Sequence, residues 1–192
     1  MINLYDKNAF YDTDCLVCFL AVGQCGILQQ MFSKVIVSNV VLNEILKPPK
    51  TPPHIKANLN KLIAMNFVDV KHMIVGSREH NKYVEIKNKF DFIGDGEAAV
   101  LALTYENGGV IASNNLWDVR GFAEDNDLNF VTTAFILAKA YENGIKSRSE
   151  LDTIWSDMLK EKRGRSLPRG VKSFTEYYGG KYEIDSLYMK LE

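Results

Sequence analysis

Gly94-Asp95-Gly96-Glu97-Ala98-Ala99-Val100-Leu101-Ala102-Leu103-Thr104-Tyr105-Glu106-Asn107-Gly108-Gly109-Val110-Ile111-Ala112 reads as a helix, a stop and a strand in direct succession. Ala98, Leu101, Ala102 and Tyr105 recur at i, i+3, i+4 and i+7, the spacing of one helical face. Asn107-Gly108-Gly109 breaks that face, and Val110-Ile111-Ala112 is short, apolar and β-rich, as strands covered on both sides are.

The alternation continues in both directions. Upstream, Ala9-Phe10-Tyr11 is a short strand that stops at Asp12-Thr13-Asp14. Helical segments follow over 14–21 and 27–32, with Gly23 and Gly26 as breakers. Val35-Ile36-Val37 is a second buried strand, after which Ser38 caps a helix through Val40, Val41, Glu44 and Leu46 that Pro48-Pro49 ends. Residues 51–90 are basic and helical, with a strand over 67–70. Downstream come a helix over 116–123, a strand at Phe130-Val131, and helices over 134–140 and 151–159. Strands that alternate with helices in this way predict an α/β fold around a parallel sheet. There is no internal repeat and no low-complexity linker. The organisation expected is a main domain over 1–147 and a helical, basic extension over 148–192, packed on it or trailing from it after Gly164.

A chain of 192 residues suits one domain and should bury roughly 70% of its unfolded surface. Its formal charge of -1, from 23 Lys+Arg against 24 Asp+Glu, argues against a protein coated for nucleic acid, though not against a local basic patch. No apolar run reaches the roughly 18 residues of a membrane span, and no export signal opens the chain. A cytoplasmic protein without membrane contact is expected. Cys15, Cys18 and Cys25 are odd in number and sit among Leu16, Val17, Phe19 and Leu20, so they read as small hydrophobes rather than a redox or zinc pair. His54, His72 and His80 have no metal-ligand spacing, and no phosphate-binding Gly-x-x-x-x-Gly-Lys-Ser/Thr loop occurs.

The acidic residues fall where chemistry is expected. Asp12 ends the first strand, at the carboxyl edge where open α/β sheets place their sites. Glu44 lies on the apolar face of its helix with Val40, Val41 and Ile45, where a carboxylate needs a partner, a metal or a cleft. Glu97 stands in the first turn of its helix, and Asp118 follows the strand at 110–112. Singly, each also fits a structural role: a cap, a helix-dipole complement, a lysine bridge or a solvated side chain. Together, carboxylates converging without basic partners repel, and a divalent cation such as Mg²⁺ or Mn²⁺ relieves that repulsion.

The order of these motifs resembles the PIN-domain family of metal-dependent ribonucleases, whose small bacterial members include VapC-type toxins. The segments that carry the resemblance are Phe10-Tyr11-Asp12-Thr13-Asp14, Val37-Ser38-Asn39-Val40-Val41-Leu42-Asn43-Glu44-Ile45, Gly96-Glu97-Ala98-Ala99-Val100-Leu101 and Ser113-Asn114-Asn115-Leu116-Trp117-Asp118-Val119, with Asn129-Phe130-Val131-Thr132-Thr133 downstream. The resemblance spans residues 9–144. It implies a three-layer α/β/α sandwich with a central, mostly parallel sheet, and a hydrolytic endoribonuclease that leaves a 5′-phosphate and a 3′-hydroxyl. Asp12, Glu97 and Asp118 would hold Mg²⁺ or Mn²⁺, with Asp14 and Asp95 as auxiliary ligands. Glu44 would complete the shell or orient water, and Thr13, Ser113 and Asn115 would meet substrate. The partners implied are RNA (tRNA, rRNA or mRNA), an antitoxin protein and a second copy of the chain. Asn115 departs from the family pattern, since many relatives carry aspartate there.

Two other readings stand beside this one. Asp12-Thr13-Asp14 and Gly94-Asp95-Gly96 are also similar to haloacid-dehalogenase-like phosphatases, which leaves Glu44 unexplained. A PIN-like module that binds RNA or protein without turnover is the second, and Asn115 favours it slightly. Lys160, Lys162, Arg163, Arg165, Arg169 and Lys172 form a basic stretch, and Lys47, Lys50, Lys56 and Lys61 a looser one, either of which can be a phosphate clamp or a solvated face. Tyr11 and Trp117 are candidates for base stacking or for core.

Overall fold

The computed structural model describes residues 4–47, 51–161 and 167–180, without the side chains of Tyr5, Leu116 and Asp118. After a 3-10 turn at Leu4–Asp6, five strands run through it: β1 (Asn8–Tyr11), β2 (Lys34–Ser38), β3 (Val68–Lys71), β4 (Val110–Ala112) and β5 (Asn129–Val131). All neighbours are parallel, in the order β3-β2-β1-β4-β5. The sheet is thus wholly parallel, in keeping with the mostly parallel sheet expected. The helices are α1 (Thr13–Ala21), α2 (Cys25–Met31), α3 (Asn39–Leu46), α4 (Pro53–Ala64), α5 (Arg78–Lys89), α6 (Asp95–Asn107), α7 (Leu116–Asp125), α8 (Thr133–Glu142), α9 (Arg148–Lys160) and α10 (Phe174–Gly179). Helices cover both faces of the sheet in a three-layer α/β/α fold, as short parallel strands require.

The connections explain where a site can form. From β1 the chain steps to β2 and then β3 on one side, whereas β4 steps to β5 on the other. β1 and β4 are therefore the adjacent pair at which the winding reverses, and ligands in open α/β sheets bind in the crevice beyond the carboxyl ends of such a pair. The ladder is prolonged into that crevice by Asp12 N–H to Ala112 O and Ser113 N–H to Val131 O, both 3.0 Å.

One helix and the tail differ from their sequence reading. α6 is not a one-sided amphipathic helix: every residue from 98 to 104 is buried. It lies against β1, β2 and β4, with α5 beside it, so it is covered all round. Tyr105, assigned to its apolar stripe, is 41% exposed, with Lys82 Nζ 4.2 Å above its ring. In the extension, the described residues 167–180 are packed, since Leu167, Val171, Phe174 and Tyr177 join Trp155 in the core; Gly164, where the tail was expected to begin, lies outside the described residues. Trp155 Nε1 donates to Val171 O at 3.3 Å, and Ser147 with Glu150 closes a capping box on α9. Among the described residues, no single helix is long and apolar enough to cross a membrane.

Gly109, in the turn before β4, has φ +107°, and a Cβ there would stand 2.6 Å from Asn8 O. That carbonyl belongs to β1 and cannot withdraw without disturbing the sheet. Gly109→Ala should cost about 2–3 kcal/mol, from left-handed strain and the clash together. Urea denaturation of the variant checks this, and an unchanged midpoint would contradict it.

Candidate functional site

Asp12 leaves β1 and caps α1. Its Oδ1 accepts from Cys15 N–H at 2.7 Å, and its Oδ2 accepts from the Ser113 hydroxyl. At 3% exposure it is the one buried carboxylate among the described residues. Burial pushes its carboxyl up to about 7; the bonds from Ser113 and Cys15 oppose the rise, and the charges of Asp14 and Glu97 add to it.

Around this floor stand the other acids. Asp12, Thr13, Asp14, Glu44, Gly96 and Glu97 line a cleft of about 130 Å³, with no lysine or arginine in its wall among the described residues. Glu97 is half-buried in the first turn of α6, and its Oε1 accepts from Asn115 Nδ2 at 3.3 Å. Glu44 approaches from α3 and accepts from the Thr13 hydroxyl. The two glycines before Glu97 make this room: a Cβ at position 94 would fall on the Glu97 carboxylate, and one at position 96 would come within 3.0 Å of Glu44 Oε2.

Several expectations are corrected. Glu44 is exposed rather than set in an apolar stripe, because α3 turns Val41 and Ile45 inward and leaves Glu44 on the cleft's lip. Asp95 does not join the cleft. It lies 3.0 Å from Lys87 Nζ and accepts from the Tyr83 hydroxyl at 3.3 Å, and Lys87 holds its carboxyl below the usual range. Ser113 is 1% exposed and turned onto Asp12, so it braces a carboxylate rather than facing substrate. Tyr11 is wholly buried against Phe32 and cannot stack on a base, whereas Trp117 is 94% exposed. Asp118 belongs to α7, and its side chain lies outside the described residues, as do Lys50, Lys162, Arg163 and Arg165. Lys56 Nζ donates to Leu46 O at 2.9 Å, closing α3. Lys160 pairs with Asp157 at 2.8 Å.

A supporting layer escaped the sequence reading. Thr133 N–H donates to Asn114 Oδ1 at 2.8 Å and Asn114 Nδ2 to Thr133 Oγ1 at 2.9 Å, while Thr133 Oγ1 reaches Cys15 Sγ at 3.5 Å. These bonds tie the turn after β4 to the start of α8, under Asp12. All three cysteines are buried. Burial holds the Cys15 thiol well above its usual range and raises Cys25 to about 12, so neither is a ready nucleophile or zinc ligand.

Among the described residues, no three Asp, Glu, His or Cys side chains close on one point tightly enough to hold an ion by themselves. The donor set nonetheless fits a hard cation. Among the described residues it is all oxygen and uncompensated by positive charge, and Mg²⁺ characteristically takes one or two carboxylates and keeps several waters. The acidic cleft thus lies at the winding reversal of an all-parallel α/β sheet, where such folds bind ligands. The family model of the PIN domain matches residues 9–172, and the chain belongs to the PIN-domain family. PIN domains are generally nucleases and typically use divalent metal ions. The phosphatase reading falls away with this match and with the placement of Asp95. No curated protein matches the chain.

Proposed function

We propose that the chain is a Mg²⁺- or Mn²⁺-dependent endoribonuclease and, on the resemblance of its motifs, the toxin of a toxin–antitoxin pair. The observation that supports this best is the meeting of Asp12, Asp14, Glu44 and Glu97 on one cleft whose wall carries no cation. A divalent ion bound there supplies Lewis acidity to a phosphodiester oxygen and acidifies water. The chain's own residues do the positioning. Cys15 N–H and Ser113 keep Asp12 in one rotamer, and Asn115 steadies Glu97. Glu44, exposed on the opposite lip and oriented by Thr13, is placed to accept a proton from the attacking water. Glu44 is exposed at the cleft, and a phosphodiester would approach from that side. An antitoxin would act by covering this side.

The test is cleavage of a panel of structured and single-stranded RNAs by wild type and Asp12→Asn, each with EDTA, Mg²⁺ or Mn²⁺. Cutting that needs the ion and is lost in the variant is the expected result. Full cutting by Asp12→Asn would contradict the reading. The neutral amide of Asn115 favours the second reading, an RNA-binding module without turnover; RNA retained but uncut by ion-loaded wild type would establish it.

A further inference from the structure

Asparagine is among the best N-cap residues, because its side-chain oxygen can take a helix's first N–H groups. Asp12, Ser38, Ser77, Thr132 and Ser147 all do this for the helices they precede. Asn115 stands at the same position before α7, yet its side chain makes no cap bond. It donates to Glu97 Oε1 at 3.3 Å instead. Its backbone N–H donates to Ser113 Oγ at 3.1 Å, the hydroxyl that holds Asp12. One turn after β4 therefore grips both the floor and the wall of the cleft with neutral donors, and gives up a local helix cap to do so.

We propose that Asn115 is a positioning residue for Glu97 whose neutral amide restricts the cleft to a single divalent cation; this rests on the cation-dependent reading above. Two ions about 3.5–4 Å apart need carboxylates with oxygens to spare for bridging. Of the described carboxylates in the cleft, Asp12 has both oxygens engaged, and Glu97 and Glu44 have one each, Oε1 and Oε2. A carboxylate at position 115 has the shape of the amide, and would set a like charge where Nδ2 now stands, 3.3 Å from Glu97 Oε1. Such a pair repels, and a further cation relieves it. The amide thus both fixes Glu97 and withholds the second site.

The full chain, stripped with EDTA, is titrated with Mn²⁺ while free ion is followed by electron paramagnetic resonance. Near-ultraviolet circular dichroism verifies the fold of each variant. Wild type should take up one equivalent and Asn115→Asp two. Asn115→Ala, which lets Glu97 swing, should keep one equivalent with affinity about tenfold weaker, the usual scale for losing a partner behind a ligand. Two equivalents in wild type, one in folded Asn115→Asp, or unchanged affinity in Asn115→Ala would each overturn the proposal and leave the cation site standing. No uptake by wild type would overturn the cation site itself, and the proposal with it. Should Asn115→Asp fail to fold, the wild-type stoichiometry and Asn115→Ala decide.

Discussion

Glu97→Gln should lose about a thousandfold in cation-dependent RNA cleavage, which is about 4 kcal/mol of transition-state stabilisation. The substitution removes charge and almost nothing else. The glutamine side chain keeps an oxygen where Oε1 of Glu97 accepts from Asn115, and the helix start at Gly94 accommodates the same volume. Single-turnover rates on the preferred RNA, with saturating Mn²⁺ and a matched circular dichroism spectrum, measure the effect. A loss below tenfold would remove Glu97 from the site. A thermal midpoint far below wild type would instead mean that the residue acts through folding.

Asp12→Asn should separate stability from activity in the opposite sense. The Asp12 carboxyl is raised by burial from 3.8 to about 7, so the folded chain holds this proton more tightly than the unfolded chain does. Between those two values the native state binds more protons, and stability falls as pH rises. Below the unfolded value there is no penalty, and above about 7 it is complete, at most about 4 kcal/mol for a rise of this size. Asparagine carries no charge to desolvate and can still accept from Cys15 N–H. The variant should therefore be more stable than cation-free wild type at about pH 8, and equal to it near pH 4. Mn²⁺ should close the gap by stabilising only wild type, through binding to the native state alone. Urea melts with EDTA and with Mn²⁺ at both pH values are the measurement; a variant less stable than wild type at high pH would refute the account. Stability given up at a catalytic position is a common exchange for function.

The sheet was legible in the sequence because β1, β2, β4 and β5 each centre on a compact apolar run, Asp12 because it sits at the boundary between β1 and α1, and Glu97 because it opens α6 after two glycines. What could not be read was lateral. Glu44 faces outward because of how α3 sits beside α6, which its eight residues do not encode. Asp95 was lost to the site by Lys87, on a helix whose packing against α6 only the tertiary structure sets. Ser113 looked available because its partner is remote in sequence. Trp155, Phe174 and Tyr177 bind the last described helices into the core, where the neighbouring basic residues had suggested a loose extension.

The central place of β1 between β2 and β4 also sets an order in time. Ser113 braces Asp12 across 101 residues of chain, and so long a closure is expected to come late in folding. During synthesis, a chain that has not yet emitted β4 can carry α1 and Asp12 but no hydroxyl to hold the carboxylate and no amide to hold Glu97. In refolding, Mn²⁺ uptake should accordingly lag the growth of helical signal. For a nuclease-type fold, the topology itself delays the blade until the handle is finished.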